Sequence, residues 1–310
     1  MREESSPGWV GPVSVLAGAV LFSTGGMGIK LLSEWPPLAV SAGRSLLTAL
    51  FFAALLRGRV LPDRAAAPWV AAGALAYCGV VSGFVFGSRL TTAANAILLQ
   101  STAPLWIALF GWLWLRERPA RGELAALLLG GVGMAFCIGG SSEAEVAGGS
   151  ALARLGDLVS LASGVAFAAL IVLLRHATHR LGEGESGSGT ALRMILFGNL
   201  VAASFGVPSL IENLGVAAVP ERPLWAGLAL LAWLGFGQLG GGYFFVQRGL
   251  RSTAPLAASL LLLLEPVLNP IWVALAVGEV PPRGTFIGGA FVLAACAAAS
   301  LGGRRSEASA

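Results

Sequence analysis

The chain has 310 residues, of which 56% are hydrophobic and only 12% charged, with a mean hydropathy of +0.79. A water-soluble domain carries about 25% charged residues, so this composition excludes one. The net charge of +4 does not point to nucleic acid, because the basic residues sit in short segments beside apolar runs, where they orient a membrane protein.

A polar start, residues 1–9, is followed by no A-x-A-like cleavage site, so the first apolar run is read as retained. Ten apolar stretches then follow in chain order, at residues 11–32, 38–56, 67–88, 93–115, 123–140, 156–177, 190–210, 224–247, 254–277 and 284–302. Each can cross a hydrocarbon core of about 30 Å as a helix and is too long for a barrel strand of about 9–11 residues. Because lipid leaves backbone polar groups no outside partner, the sequence predicts an all-α integral membrane protein of ten transmembrane helices. Cys78, Cys137 and Cys296 are odd in number and lie inside spans, which suits small buried residues; no metal site and no cofactor is expected.

With the N-terminus cytoplasmic, 13 of the 20 Lys and Arg residues fall on inner flanks, five on outer flanks, and Arg44 and Arg193 within spans. The positive-inside rule therefore predicts a multi-pass protein of the cell (inner) membrane with both termini cytoplasmic.

The chain also repeats itself. Pro104, Glu117, Pro119, Arg121 and Gly122 recur as Pro266, Glu279, Pro281, Arg283 and Gly284, each shifted by 162 residues. Upstream, Lys30 matches Arg175 at a shift of 145, Arg44 matches Arg193 at 149, and Gly79 and Gly83 match Gly237 and Gly241 at 158. The growing shift reflects longer loops in the second half. The reading is a five-helix repeat over residues 1–140, a linker at 141–154, a second repeat over 155–303 and a cytoplasmic tail at 304–310. Five is odd, so the second repeat enters the membrane from the opposite face, an inverted topology typical of transporters that alternate access.

Ala93-Ala94-Asn95-Ala96 followed by Pro104 and Glu117, Gly156-Asp157, and Leu264-Glu265-Pro266 followed by Gly278-Glu279 resemble the drug/metabolite transporter superfamily, specifically its EamA-type ten-helix branch. The resemblance spans nearly the whole chain. It implies a secondary transporter, working without ATP, that exports small polar metabolites such as amino acids or related compounds. The superfamily also holds drug, sugar-phosphate and nucleotide-sugar carriers, but no basic cluster suited to phosphates is evident inside the spans.

Glu265 is the sharpest candidate for solute contact or proton coupling, since an ionisable group deep in a span faces a cavity or a partner by default. Its match in the first half is the neutral Ala103. Arg44 could hold a carboxylate through its guanidinium fork, or snorkel to the interface; Arg193, nearer its helix start, reads as snorkelling. Asn95, Gln100, Ser101, Gln238, Tyr243, Asn269 and Trp272, with Ser23 and Thr24, could line the same cavity or bond neighbouring helices. Pro104, Pro266 and Pro270 are expected to kink their helices, and Gly79, Gly83, Gly237 and Gly241 to bring helices close. Glu117 with Arg121, and Glu279 with Arg283, read as structural charge pairs at tight turns.

His176 and His179 lack a third ligand and read as an interfacial basic patch. Gly235, Gly237 and Gly240 fit a dinucleotide fingerprint but lie within a span, not between a strand and a helix. An intramembrane enzyme or a membrane scaffold are the competing classes, and no H-E-x-x-H, G-x-S-x-G or Walker A motif supports the first. Expected partners are a small-molecule solute and the lipid bilayer, with no nucleic acid; the sequence leaves monomer or homodimer undetermined.

Overall fold

The computed structural model describes residues 9–107, 109, 121–140, 149–181, 185–215, 223–250, 252–253, 258 and 261–307. Glu117 lies outside them, as do the side chains of Arg121, His176 and His179. The described residues are helical with no strand among them. In chain order they form α1 (Val10–Ser23), α2 (Gly25–Leu31), α3 (Pro37–Leu55), α4 (Ala67–Leu90), α5 (Ala93–Gln100), α6 (Arg121–Gly140), α7 (Gly149–Leu181) and α8 (Glu185–Gly215). Next come α9 (Leu224–Ala232), a π-helical stretch (Trp233–Gly241), α10 (Gly242–Leu250), α11 (Leu264–Val277) and α12 (Arg283–Glu307).

Among the described residues, six continuous or nearly continuous segments are long and apolar enough to cross a membrane: Val10–Leu31, Pro37–Leu55, Ala67–Leu90, Ser150–Leu174, Gly189–Gly215 and Leu224–Leu250. Shorter apolar helices occupy Leu124–Gly139, Leu264–Val277 and Arg283–Ala298. Large side chains such as Leu75, Phe205 and Leu275 stand well exposed on the outer surface of the bundle, where lipid is the solvent. The chain is a multi-pass membrane protein.

Several ends differ from the hydropathy reading. α7 starts at Gly149, inside the expected linker, and α12 runs to Glu307, into the expected tail. Polar residues continue a helix already begun in the membrane because extension costs no new nucleus.

Interruptions lie beside Pro104 and Pro266, whereas Pro270 sits inside the unbroken α11. Residues 101 and 102 form a turn between α5 and the helical residues 103–107, just before Pro104. Leu263 is a turn residue just before α11, which carries Pro266 and Pro270. Proline lacks the N–H for the helical bond and crowds the carbonyl four residues back, so each helix breaks on its N-terminal side. Ser101 and Leu263 are 162 residues apart, the same shift that relates the two proline motifs.

Packing follows a regular plan. α6 runs along α12, and α3 along α8. α4 packs on α7 while α1 packs on α10; α5 touches α7 while α11 touches α1. α2, α5 and α11 meet one another at the end of the bundle that carries Lys30.

Candidate functional site

The first span is broken in its middle. Ser23-Thr24-Gly25-Gly26 places two hydroxyls and two glycines in succession, and the Ser23 and Thr24 hydroxyls donate back to the carbonyls of Val20 and Leu21 at 2.7 Å each. Such back-bonding bends a helix. Thr24 is the single residue between α1 and α2, and the second half holds the break open. Gln238 Nε2 donates to the Phe22 carbonyl at 3.3 Å, Asn269 Nδ2 to the Ser23 carbonyl at 3.1 Å, Trp272 Nε1 to Ser23 Oγ at 2.9 Å and Trp233 Nε1 to Thr24 Oγ1 at 3.1 Å. Glycine is required at residue 26, since a Cβ there would lie 2.6 Å from Asn269 Oδ1. Trp233 and Gln238 belong to the π-helical stretch, a widened turn frequent at functional sites.

Beside the break lies a buried cluster of charged and aromatic groups. Arg44 on α3 is 1% exposed. Its Nη2 donates to the Val81 carbonyl of α4 at 2.5 Å, while Nε and Nη1 have no acceptor among the described residues. Tyr77 of α4 and Tyr243 of α10 are its electrostatic neighbours, with ring centroids 5.7 Å apart. The Tyr77 hydroxyl faces Tyr243 and Asn199 of α8. Tyr243 also packs edge-on to Phe22 at 4.8 Å and Phe52 at 6.5 Å. Glu265, at the start of α11, is within electrostatic reach of Tyr243, is half-buried, and makes no hydrogen bond or ion pair with any described residue. A cation and an anion with open valences thus flank one tyrosine, drawn from five elements and both halves of the chain.

A second polar network ties helices to one another. Asn95 Nδ2 donates to the Cys137 carbonyl at 2.9 Å and to Asp157 Oδ1 at 3.1 Å, and its Oδ1 accepts from Thr285 Oγ1 at 2.6 Å. Thr91 Oγ1 donates to the same Asp157 oxygen at 2.8 Å. Every member is buried, and five elements or their ends are tied together. Gln100 likewise bridges the Val80 carbonyl and Ser163 Oγ, at 3.1 Å each.

Residues 9–139 match the sequence profile of the EamA-like transporter family. A solved structure titled only "Crystal structure of protein" superposes with a TM-score of 0.60 at 19% identity, over 96% of this chain and 98% of that one, which shows a shared fold. No curated protein matches the chain.

The fold sorts the residues singled out from sequence. Arg44, Tyr243 and Glu265 meet in the charged cluster; Gln238, Asn269 and Trp272 meet at the helix break. Asn95 and Gln100 are committed to protein partners, and Ser101 donates back to the Ile97 carbonyl at 2.7 Å. Arg193, half-buried, donates to the Arg59 carbonyl at 2.9 Å. Sequence reasoning missed Tyr77 and Asn199. Its available signal was that the chain has only two tyrosines, one in the third apolar run and one in the eighth.

Two expectations need correction. Glu279 does not pair with Arg283: Gly278, at φ 71°, reverses the chain and turns Glu279 across the bundle to Lys30, and Arg283 is exposed. Of the glycines expected to bring helices close, Gly237 does not. Gly79 and Gly83 do face Ala166 and Ser163 of α7, but Gly237 faces its own Trp233. Gly241 does meet Leu21 of α1, at 3.2 Å from a Cβ position, and still closer contacts with α1 fall at Gly242 against Phe22 and Gly249 against Val15. The π-helical stretch changes the angular register, so a spacing counted for an α-helix lands on the wrong face.

Proposed function

We propose that this chain is a secondary transporter, an exporter of small polar metabolites such as amino acids or related compounds, with its solute site at the Arg44–Tyr243–Glu265 cluster. The observation that carries the proposal is the pair of unsatisfied charges there. Burying an ion without a partner is costly, and an intramembrane ionisable group that persists without one points to a ligand or a proton. A zwitterion supplies both complements, its carboxylate to the free Arg44 donors and its ammonium to Glu265. The sealed position of Arg44 means the solute reaches it only when α3, α4 and α10 separate.

That separation fits alternating access by two inverted five-helix halves, the ten-helix reading of the sequence. The packing plan supports it: exchanging each helix for its counterpart in the other half converts α4 on α7 into α10 on α1, and α5 on α7 into α11 on α1. The matched interruptions at Ser101 and Leu263 support it as well. Coupling to protons through Glu265, cytoplasmic termini and residence in the inner membrane complete the proposal. Its test is gradient-driven flux of labelled amino acids in liposomes containing the purified protein. Flux is the expected result; solute conversion to a product would indicate an intramembrane enzyme instead, and neither flux nor product would favour a scaffold.

A further inference from the structure

At the Lys30 end of the bundle, α2, α5 and α11 converge on one carboxylate. Lys30 Nζ, in the last turn of α2, lies 2.5 Å from Glu279 Oε2 and donates to the Thr91 carbonyl at 3.0 Å. Glu279 Oε1 accepts from the Ala93 backbone N–H, at the N-terminus of α5, at 2.7 Å. Arg89, at the end of α4, donates to the carbonyls of Leu32 and Ser33 just beyond Lys30. The ends of four spans are therefore joined across both halves by charged hydrogen bonds, and the joining side chains are only 14% and 20% exposed.

The surroundings indicate a contact made to be broken. On the α11 side the packing beneath it is polar: Gly26 meets the Asn269 amide, and no residue of α11 joins the buried apolar cluster that holds Ile29 and Leu32 against Ala96 and Ile97. Little apolar area opposes separation of α11 from α2 and α5 once the charges part. By contrast, the Asn95–Asp157 network beside it ties α5 to α6, α7 and α12, and the apolar cluster ties α2 to α5, so both stay in place while α11 moves. In the sequence, Lys30 matches Arg175 and Glu279 matches Glu117, so each half retains one base and one acid at the same two positions.

We propose that Lys30 and Glu279 form a latch that closes the outer end of the transport path, and that its opening limits exposure of the solute site to the outside. The proposal rests on the transporter reading, and its test has a readout that does not require a solute. Val273, 1% exposed and about one turn inward of the end of α11, is replaced by Cys as a reporter. Proteoliposomes are exposed to a membrane-impermeant maleimide on the Lys30 side, with labelling of the parent chain, which carries the three native cysteines, subtracted. Glu279→Gln keeps an acceptor for Ala93 and removes only the charge pair; Lys30→Gln removes the pair from the other side.

Each variant is expected to raise the labelling rate at residue 273 by about fivefold, equal to ~1 kcal/mol. The combined Lys30→Glu and Glu279→Lys exchange is expected to bring the rate back below either single variant. Parent-like labelling in both single variants would overturn the latch, as would an exchange variant that labels faster than both. Absence of solute flux in all of these proteins, with the labelling changes present, would instead overturn the transporter reading and leave the latch standing.

Discussion

Arg44 allows function and stability to be separated. Replacing it with Met exchanges a buried guanidinium for an apolar side chain that is also long and unbranched. The loss is one hydrogen bond to the Val81 carbonyl, which keeps its own helical partner in α4. The gain is removal of a buried charge with two unsatisfied donors. Substituting buried ions by well-packed apolar residues is often neutral or stabilising by about 1–4 kcal/mol. The expected net effect is therefore between no change and a gain of about 2 kcal/mol. At about 2–4 °C per kcal/mol for domains of 150–250 residues, the melting temperature of the Met variant should match the parent or rise by a few degrees. Arg44→Ala, which leaves a cavity, should fall by about 2–5 kcal/mol. Thermal unfolding of the detergent-solubilised proteins, followed by intrinsic tryptophan emission, gives the comparison. Both variants should lose at least about tenfold in amino-acid flux, the equivalent of ~1.4 kcal/mol. A Met variant that melts well below the parent would refute the reasoning, because Arg44 would then be a structural keystone. So would a stable Met variant that transports normally.

Other substitutions address the rest of the site. Asn95→Leu breaks three buried hydrogen bonds, each worth about 0.6–1.5 kcal/mol inside a membrane, so a loss of roughly 2–4 kcal/mol in thermal stability is expected; an unchanged melting temperature would argue that the network is not structural. Gly83→Leu places a Cβ 2.6 Å from the Ser163 Cβ, whereas at Gly131 nothing lies within 4 Å, so only the first should destabilise, by about 1–3 kcal/mol of overpacking, and slow transport. Equal behaviour of the two variants in melting and flux would contradict the α4–α7 contact. Glu265→Gln should still move solute down its own gradient but lose the response of flux to an imposed pH gradient; full retention of that response would remove Glu265 from proton coupling.

What the sequence could reveal depended on the range of the interaction. Span positions were legible because hydropathy accumulates along the chain, and the proline interruptions were legible because proline acts on its own backbone. The break at Thr24 was not, even though Ser23, Thr24 and both glycines were visible: a hydroxyl can bond back within an intact helix, and it takes Gln238, Asn269, Trp272 and Trp233 to hold this one apart. The π-helical stretch was equally hidden, and with it the closer contacts with α1 at Gly242 and Gly249. Charge pairing failed for a similar reason. Glu279 has Arg283 four residues away, yet the left-handed Gly278 and the prolines that follow aim it at a base 249 residues distant in the chain. In the site itself, the ionisable members Arg44 and Glu265 stood out against an apolar background. Tyr77 and Asn199 join them only because α4, α8 and α10 meet around Tyr243.

Counterflow tests the central claim most directly. Liposomes carrying the purified protein are loaded with one unlabelled amino acid and diluted into a trace of the same labelled compound, and the experiment is repeated across the amino acids. For at least one of them the label should accumulate transiently above its equilibrium level, with no such overshoot in protein-free liposomes or in the Arg44→Met variant. Label entry indistinguishable from protein-free liposomes across the whole set would contradict the account.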